Sequence, residues 1–142
     1  MSRNNQPQSD DSSVQVELWR TEIQTRFSDM DAQCHINNLA YLEYIQECRV
    51  QWFRSLELGD RYESVVVNSN IEYLQEMFYP EPVTVIMTGS NPGRSSVKTW
   101  YEIWSPDDKS NLAARGYAKI VFIDPEERKS TPLPEIVREK LK

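Results

Sequence analysis

In residues 21–27, TEIQTRF, apolar or β-branched positions alternate with Glu22, Gln24 and Arg26. A period of two sends successive side chains to opposite faces, so this stretch predicts a half-buried β-strand. Leu18 can share a face with Ile23, Thr25 and Phe27 only if a bulge or kink interrupts the period between Leu18 and Ile23. The period then changes. Across residues 39–56, Tyr41, Leu42, Ile45, Cys48, Trp52, Phe53 and Leu56 recur at spacings of three and four. That predicts a helix of about five turns with a wide apolar stripe. Asn37 or Asn38 is placed to cap it, since a short side-chain amide accepts from the free N–H groups of the first turn. Glu43 suits the positive end of the helix dipole, and Gly59 is a natural stop.

Strand patterns fill most of the chain beyond the helix. ESVVVNSNIEYLQEMF, residues 63–78, predicts a long strand kinked near residues 68–70. EPVTVIMTGS alternates Val83, Val85 and Met87 with Thr84, Ile86 and Thr88, and Asn-Pro-Gly at 91–93 signals a turn. SSVKTWYEIW sets Val97, Thr99, Tyr101 and Ile103 against Lys98, Trp100, Glu102 and Trp104. A polar loop, SPDDKSN, precedes the last strand, LAARGYAKIVFI. Residues 132–142 predict a short amphipathic helix through Ile136, Val137 and Leu141. One strand, one long helix and four strands with short later turns predict an antiparallel meander on a helix, the α+β class. One helix covers little more than one face of such a sheet. Trp100 and Trp104 on the other face predict association between copies.

Composition narrows the function classes. The opening MSRNNQPQSDDSS has no apolar cluster, and residues 1–13 are expected to be a disordered tail ahead of one domain spanning 14–142. The formal net charge of −6 argues against non-specific nucleic-acid binding, which leans on Lys and Arg to neutralise phosphates. No apolar run is long enough to span a bilayer, and no secretory signal is evident. Two cysteines do not make a disulfide scaffold, so a reducing cytoplasm is the expected setting. A single histidine excludes a multi-histidine metal site. Cys34, His35 and Cys48 lack a clear fourth ligand for zinc, so no metal is expected.

Residues 27–38, FSDMDAQCHINN, hold that histidine, one of the cysteines, two acids and an asparagine pair, directly ahead of the helix. Each has an ordinary structural job: an acid or Asn before a helix caps it, and a lone His hydrogen-bonds. Together they can also do carbonyl chemistry. A carboxylate attacks or activates water, helix-start N–H groups polarise a carbonyl, and an imidazole titrates near neutrality. Cys34 and His35 are adjacent on an extended loop and point apart, which disfavours a Cys–His nucleophile. Ser90, in GSNPG, does not match the Gly-x-Ser-x-Gly elbow.

The run RFSDMDAQCHINNLAYLEYIQECR resembles the opening motif of hotdog-fold acyl thioesterases, of the 4-hydroxybenzoyl-CoA thioesterase-like and acyl-ACP thioesterase-like groups. That motif is an aromatic, Asp-x-Asp, a few small or polar residues, His-Val-Asn-Asn and a helix opening near a Tyr. Here those positions are Phe27, Asp29, Asp31, His35, Ile36, Asn37, Asn38 and Tyr41. IEYLQEMFYPEPVTV resembles the family's second strand, and the likeness covers nearly all of the chain beyond the tail. It implies a single hotdog domain, an antiparallel sheet wrapped around one long central helix, assembled as a homodimer or homotetramer through sheet edges. It also implies a thioester hydrolase acting on acyl-CoA or acyl-ACP, with no cofactor.

The same resemblance implies the roles. Asp31, the second acid of the pair, corresponds to the catalytic carboxylate, as nucleophile or general base. Asn38 corresponds to the residue whose backbone N–H polarises the thioester carbonyl. In the plant acyl-ACP group an Asn, a His and a Glu complete the site, and Gln33, His35 and Glu76 stand at those positions. Asn37 and Tyr41 are candidate substrate contacts, and Arg94, Ser95 and Ser96 lie where related proteins often contact CoA. Aromatic residues such as Tyr41, Tyr44, Trp52 and Tyr73 line an acyl tunnel or pack near it. Cys34 departs from the family, where Gly commonly precedes the His, a difference that matters if the position needs positive φ or lets the substrate approach closely. Two alternatives stand beside hydrolysis: a non-hydrolytic hotdog module that binds or assembles acyl thioesters, and a hotdog dehydratase.

Overall fold

In a computed structural model, which describes residues 15–107, 109 and 111–141, one long helix lies against one antiparallel sheet. The expected tail, residues 1–13, lies outside the described residues. In chain order come strand β1 (Val16–Ile23), a 3₁₀ turn (Phe27–Asp29), helix α1 (Asn38–Ser55) and strands β2 (Glu63–Tyr73), β3 (Val83–Ser90), β4 (Ser96–Ser105) and β5 (Asn111–Asp124). A two-residue β6 (Lys129–Ser130) and a short helix α2 (Glu135–Lys140) complete the order. The sheet order is β1-β3-β4-β5-β2, with β6 on β5, and every pairing is antiparallel. This is the α+β hotdog architecture, with α1 packed on β1, β3 and β4.

Alternation decides which face each strand buries. β3 turns Val83, Val85 and Met87 toward α1, and β4 turns Val97, Thr99, Tyr101 and Ile103; all seven are buried. α1 answers with Ala40, Tyr41, Tyr44, Ile45, Cys48 and Trp52, at the three- and four-residue spacing of one helix face. Leu42, counted in the apolar stripe from the sequence, sits on the solvent side. Tyr44 takes the inward place instead. α1 stops at Leu56, where the N–H of Glu57 returns to the Arg54 carbonyl and Glu57 adopts φ +52°. The left-handed stop is therefore Glu57, ahead of Gly59.

The β1 bulge falls between Glu17 and Trp19, at the start of the expected interval. The strand ends at Ile23, earlier than the alternation predicts. Thr25 is buried with its hydroxyl donating to the Glu81 carbonyl at 2.8 Å. Phe27 is 73% exposed, because the chain has already turned into the 3₁₀ segment. β2 likewise ends at Tyr73 and not at residue 78. Beyond it, the Gln75 carbonyl accepts from the Tyr41 hydroxyl and the Met77 carbonyl from the Ile36 N–H. The Leu74 and Gln75 N–H groups still reach the Ala113 carbonyl of β5, but the carbonyls turn to α1 and the loop ahead of it, and the segment leaves the sheet there. At Gly116, on β5, a Cβ would collide with the Asn70 carbonyl of β2. Glycine is what lets these two backbones approach there.

On the outer face, Trp100 is only 3% exposed. Its indole N–H donates to Ser90 at 2.8 Å, and Lys98 lies over its ring. This residue is covered within the chain, so it is not the sticky surface expected from the sequence. The two sheet edges differ. β1 carries Glu17 and Arg20, paired at 2.7 Å, whereas β2 exposes Val65, Val66 and Val67 along a strand paired on one side only among the described residues. Among the described residues, no helix is long and apolar enough to cross a membrane.

Candidate active site

Residues 29–37 form a closed loop between β1 and α1. At its base the Asn37 N–H donates to the Asp29 carbonyl at 2.8 Å. Met30 bridges Ile36, and the Asp31 N–H donates to the His35 carbonyl at 2.9 Å. At the tip, the Cys34 N–H returns to the Asp31 carbonyl at 3.0 Å, and Cys34 adopts φ +64°. Here the chain needs the left-handed conformation that glycine supplies cheaply, and a cysteine holds it instead.

The two acids of Asp-x-Asp have separate environments. Asp29 is 5% exposed. Its Oδ2 accepts from the Arg26 N–H at 2.9 Å and the Tyr44 hydroxyl at 2.6 Å, and its Oδ1 accepts from the Arg26 guanidinium at 3.0 Å. Burial alone would raise its pKa. The hydrogen bonds from Tyr44 and Arg26 outweigh that and hold the carboxyl below its ordinary value. The same arrangement, with burial foremost, pushes the Tyr44 hydroxyl well above the usual phenol range. Asp31, by contrast, is exposed. Its Oδ1 accepts from the Gln33 N–H at 2.9 Å and the His35 N–H at 3.3 Å, while Oδ2 has no partner among the described residues.

α1 opens beside this carboxylate. Asn37 is the N-cap, its side-chain oxygen accepting from the Leu39 N–H at 2.9 Å. The Asn38 N–H has no partner among the described residues, as expected of an orphan donor in the first turn. Asp31, Gln33, His35, Asn38, Tyr41 and Glu76 line one cavity of about 410 Å³, with Ile36 and the Tyr73–Leu74–Gln75 stretch. Glu76 sits past the end of β2, not within a strand, and its Oε1 is 3.4 Å from His35 Nδ1. The Phe78 ring meets the imidazole edge to face, 5.5 Å between centroids. Tyr41 is buried under the cavity against Tyr73, and burial pushes its hydroxyl up to about 12.

Arg94, Ser95 and Ser96 are not brought to this cavity by the single chain. Ser96 pairs with Val121 on β5, while Tyr73, at the cavity, pairs with Ala114. The seven residue steps from Ala114 to Val121 amount to roughly 23 Å of strand. Their turn is held from the C-terminal segment: the Arg94 carbonyl accepts from the Leu133 N–H at 2.8 Å, and Arg138 donates to the Gly93 carbonyl at 2.8 Å. Of the aromatic residues considered for a tunnel, Tyr41 and Tyr73 line the cavity, Tyr44 turns to Asp29, and Trp52 is core. The structural weight of Asp29 was not apparent from the motif, because it depends on Tyr44 folding back from α1. Cys48 is fully buried and Cys34 exposed. Among the described residues, no group of three or more His, Cys, Asp or Glu side chains is gathered for a metal.

The model of the thioesterase-like superfamily matches residues 25–141, which takes in the loop, the helix and the whole sheet beyond β1. The long-chain acyl-CoA thioesterase FadM of Escherichia coli (strain K12) is 27% identical over 131 residues, 86% of this chain and 96% of that protein. The solved PA2801 protein from Pseudomonas aeruginosa superposes with a TM-score of 0.81 at 31% identity, covering 87% of this chain and 97% of its own. A thioesterase from Thermus thermophilus, solved in complex with coenzyme A and Zn, gives a TM-score of 0.74 at 27% identity over 89% of this chain and 93% of its own. By sequence and by fold, the chain belongs to the thioesterase-like superfamily, and its enzyme class is thioester hydrolase.

Proposed function

We propose that the chain hydrolyses acyl-CoA thioesters, with Asp31 as the catalytic carboxylate and the Asn38 N–H as the donor to the thioester carbonyl. One observation carries this reading: Asp31, with one carboxylate oxygen unpartnered among the described residues, and Asn38, with a helix-start N–H likewise unpartnered among them, line one cavity. Their chemistry is complementary, since attack on a thioester turns the carbonyl oxygen into an oxyanion that a fixed N–H stabilises. The activity named for the Escherichia coli relative and the coenzyme A bound by the Thermus protein support the choice of acyl-CoA. A carrier-protein thioester suits the surface less well, because a chain of net charge −6 repels an acidic carrier.

Asp31 acts in either of two first steps with the same atoms. Oδ2 attacks the carbonyl carbon, the carbonyl collapses to expel CoA thiolate, and water then hydrolyses the mixed anhydride. Alternatively, Oδ2 takes a proton from water, the resulting hydroxide attacks, and the thiolate leaves with that proton. His35 stands beside this carboxylate with Nδ1 toward Glu76. That contact favours a proton on Nδ1, leaving Nε2 free to accept from water. Gln33 fixes Asp31 through its backbone N–H and is itself among the residues lining the cavity.

Association is part of the proposal. The valine-bearing β2 edge is the unguarded edge of the sheet, so two copies pair through it. Antiparallel twofold pairing sets the Glu63 end of one β2 beside the Tyr73 end of the other. The Arg94–Ser96 turn of one copy then lies at the same sheet end as the cavity of its partner, where the guanidinium meets CoA phosphates. Arg94→Ala should raise KM for acyl-CoA severalfold and leave acyl-pantetheine, which lacks those phosphates, unaffected.

The direct test is thiol release from a panel of acyl-CoA and acyl-ACP thioesters. Asp31→Asn should lose at least a hundredfold in kcat while remaining folded. Unchanged turnover in that variant would sink the mechanism. Ligand binding without thiol release by the wild-type chain would replace hydrolysis with a binding role.

A further inference from the structure

We infer that Asp29 and Tyr44 form a latch that sets the distance between the Asp31 carboxylate and the Asn38 N–H, making both positioning residues for the reaction. This inference rests on the roles given above to Asp31 and Asn38.

Asp29 is the acid turned away from the cavity, and all of its acceptors are taken. Its side-chain oxygens are occupied by the Arg26 N–H, the Arg26 guanidinium and the Tyr44 hydroxyl. A carboxylate so enclosed has no oxygen to offer a substrate. Its backbone carbonyl holds the Asn37 N–H, one residue before the proposed oxyanion donor. Its side chain holds Tyr44, almost two turns into α1. Two residues further along, the chain presents Asp31. One residue thus fastens the loop to α1 at two points, the N-cap and the helix body.

Each attachment alone would leave a freedom. Without the Tyr44 bond, the base of the loop could rock about the Asn37 contact, moving Asp31 relative to Asn38. Without the Asn37 bond, the loop could lift off the helix start. A charge-assisted O–H···O contact of 2.6 Å is at the short, strong end for hydroxyl donors. Arg26 adds a lateral brace, since its guanidinium also lies 3.7 Å from Glu43 on α1. The rest of the loop closes on itself through the Asp31 and Cys34 backbone bonds, so it moves as a unit about its base. Misplacing a reacting group by about 1 Å costs on the order of a hundredfold in rate, so play at the base reaches the chemistry.

The latch makes a prediction that a purely stabilising role does not. Tyr44→Phe removes one hydroxyl and leaves Asp29 its Arg26 partners, so the chain should fold. Its kcat should fall roughly tenfold to a hundredfold with KM within about twofold, because the substrate contacts stay and only the reacting geometry loosens. Asp29→Asn keeps an acceptor oxygen for Tyr44 and should retain more kcat than Asp29→Ala at equal folded fraction. Cys48→Ala, a core substitution outside the site, serves as the control for general loss of stability. Amide hydrogen exchange at His35, Asn37 and Leu39 gives a second readout independent of turnover, and it should quicken in Tyr44→Phe and not in the control.

Wild-type kcat and wild-type exchange in folded Tyr44→Phe would overturn the latch. So would equal losses in Tyr44→Phe and Cys48→Ala. If the wild-type chain released thiol from no thioester, the proposed function would fall, and the exchange measurement alone would still decide whether Tyr44 and Asp29 hold the loop.

Discussion

Cys34→Gly is expected to stabilise the protein. Cys34 holds φ +64° at the tip of the 29–37 loop. A residue with a Cβ gives up about 1–2 kcal/mol to sit in the left-handed region. Glycine avoids that cost but loses more freedom on folding, roughly 0.5–1 kcal/mol. The exposed thiol leaves few contacts to lose, and the N–H bond to the Asp31 carbonyl is made by either residue. Taking the middle of each range, the difference is a gain of about 0.75 kcal/mol, or a rise of about 2–4 °C in Tm for a chain of this size. Thermal unfolding of Cys34→Gly beside Cys34→Ala measures it. Alanine keeps the Cβ and should show no such rise. An unchanged or lower Tm in the glycine variant, or an equal rise in the alanine variant, would refute the assignment of the strain to the backbone.

The Asp29 carboxyl titrates below its ordinary value of 3.8 in the folded chain. Its ionised form therefore contributes stability that is fully present above that value and is lost as pH falls through the lower folded value. The stability gap between wild type and Asp29→Asn should narrow in acid, and a gap constant from pH 6 to pH 3 would contradict this. Cysteine reactivity should divide cleanly. Burial pushes the Cys48 thiol up to about 12, whereas Cys34 is exposed. One thiol per native chain should react with a disulfide reagent, the second only after unfolding, because the thiolate is the reacting form. Rapid reaction of both in the folded protein would show that α1 opens over Cys48.

Periodicity alone carried the α+β class, the order of the main elements and most of the inward-facing residues of β3, β4 and α1. These depend on burying one face of a helix or strand, which is written in the spacing of apolar side chains. The motif in residues 27–38, read through its resemblance to hotdog thioesterases, also marked Asp31, His35, Gln33 and Asn38. The structure draws all four around one cavity with Glu76. What the spacing could not contain was any contact between distant segments. β2 ends at Tyr73 because Tyr41 and Ile36 take the carbonyls of Gln75 and Met77. Phe27 leaves the buried face because the loop turns before it, and Trp100 is covered by neighbours on other parts of the sheet. Glu57 stops the helix where a glycine nearby looked the better candidate. The division between the two acids is the clearest case. In sequence, Asp29 and Asp31 are interchangeable carboxylates two residues apart. Tyr44 and Arg26 satisfy the first and bury it, leaving the second exposed at the cavity. Local sequence determined that acids and a helix start would meet. Only the tertiary structure decided which acid was buried and which stayed exposed, because hydrogen-bond partners fifteen residues apart are chosen by packing and not by spacing.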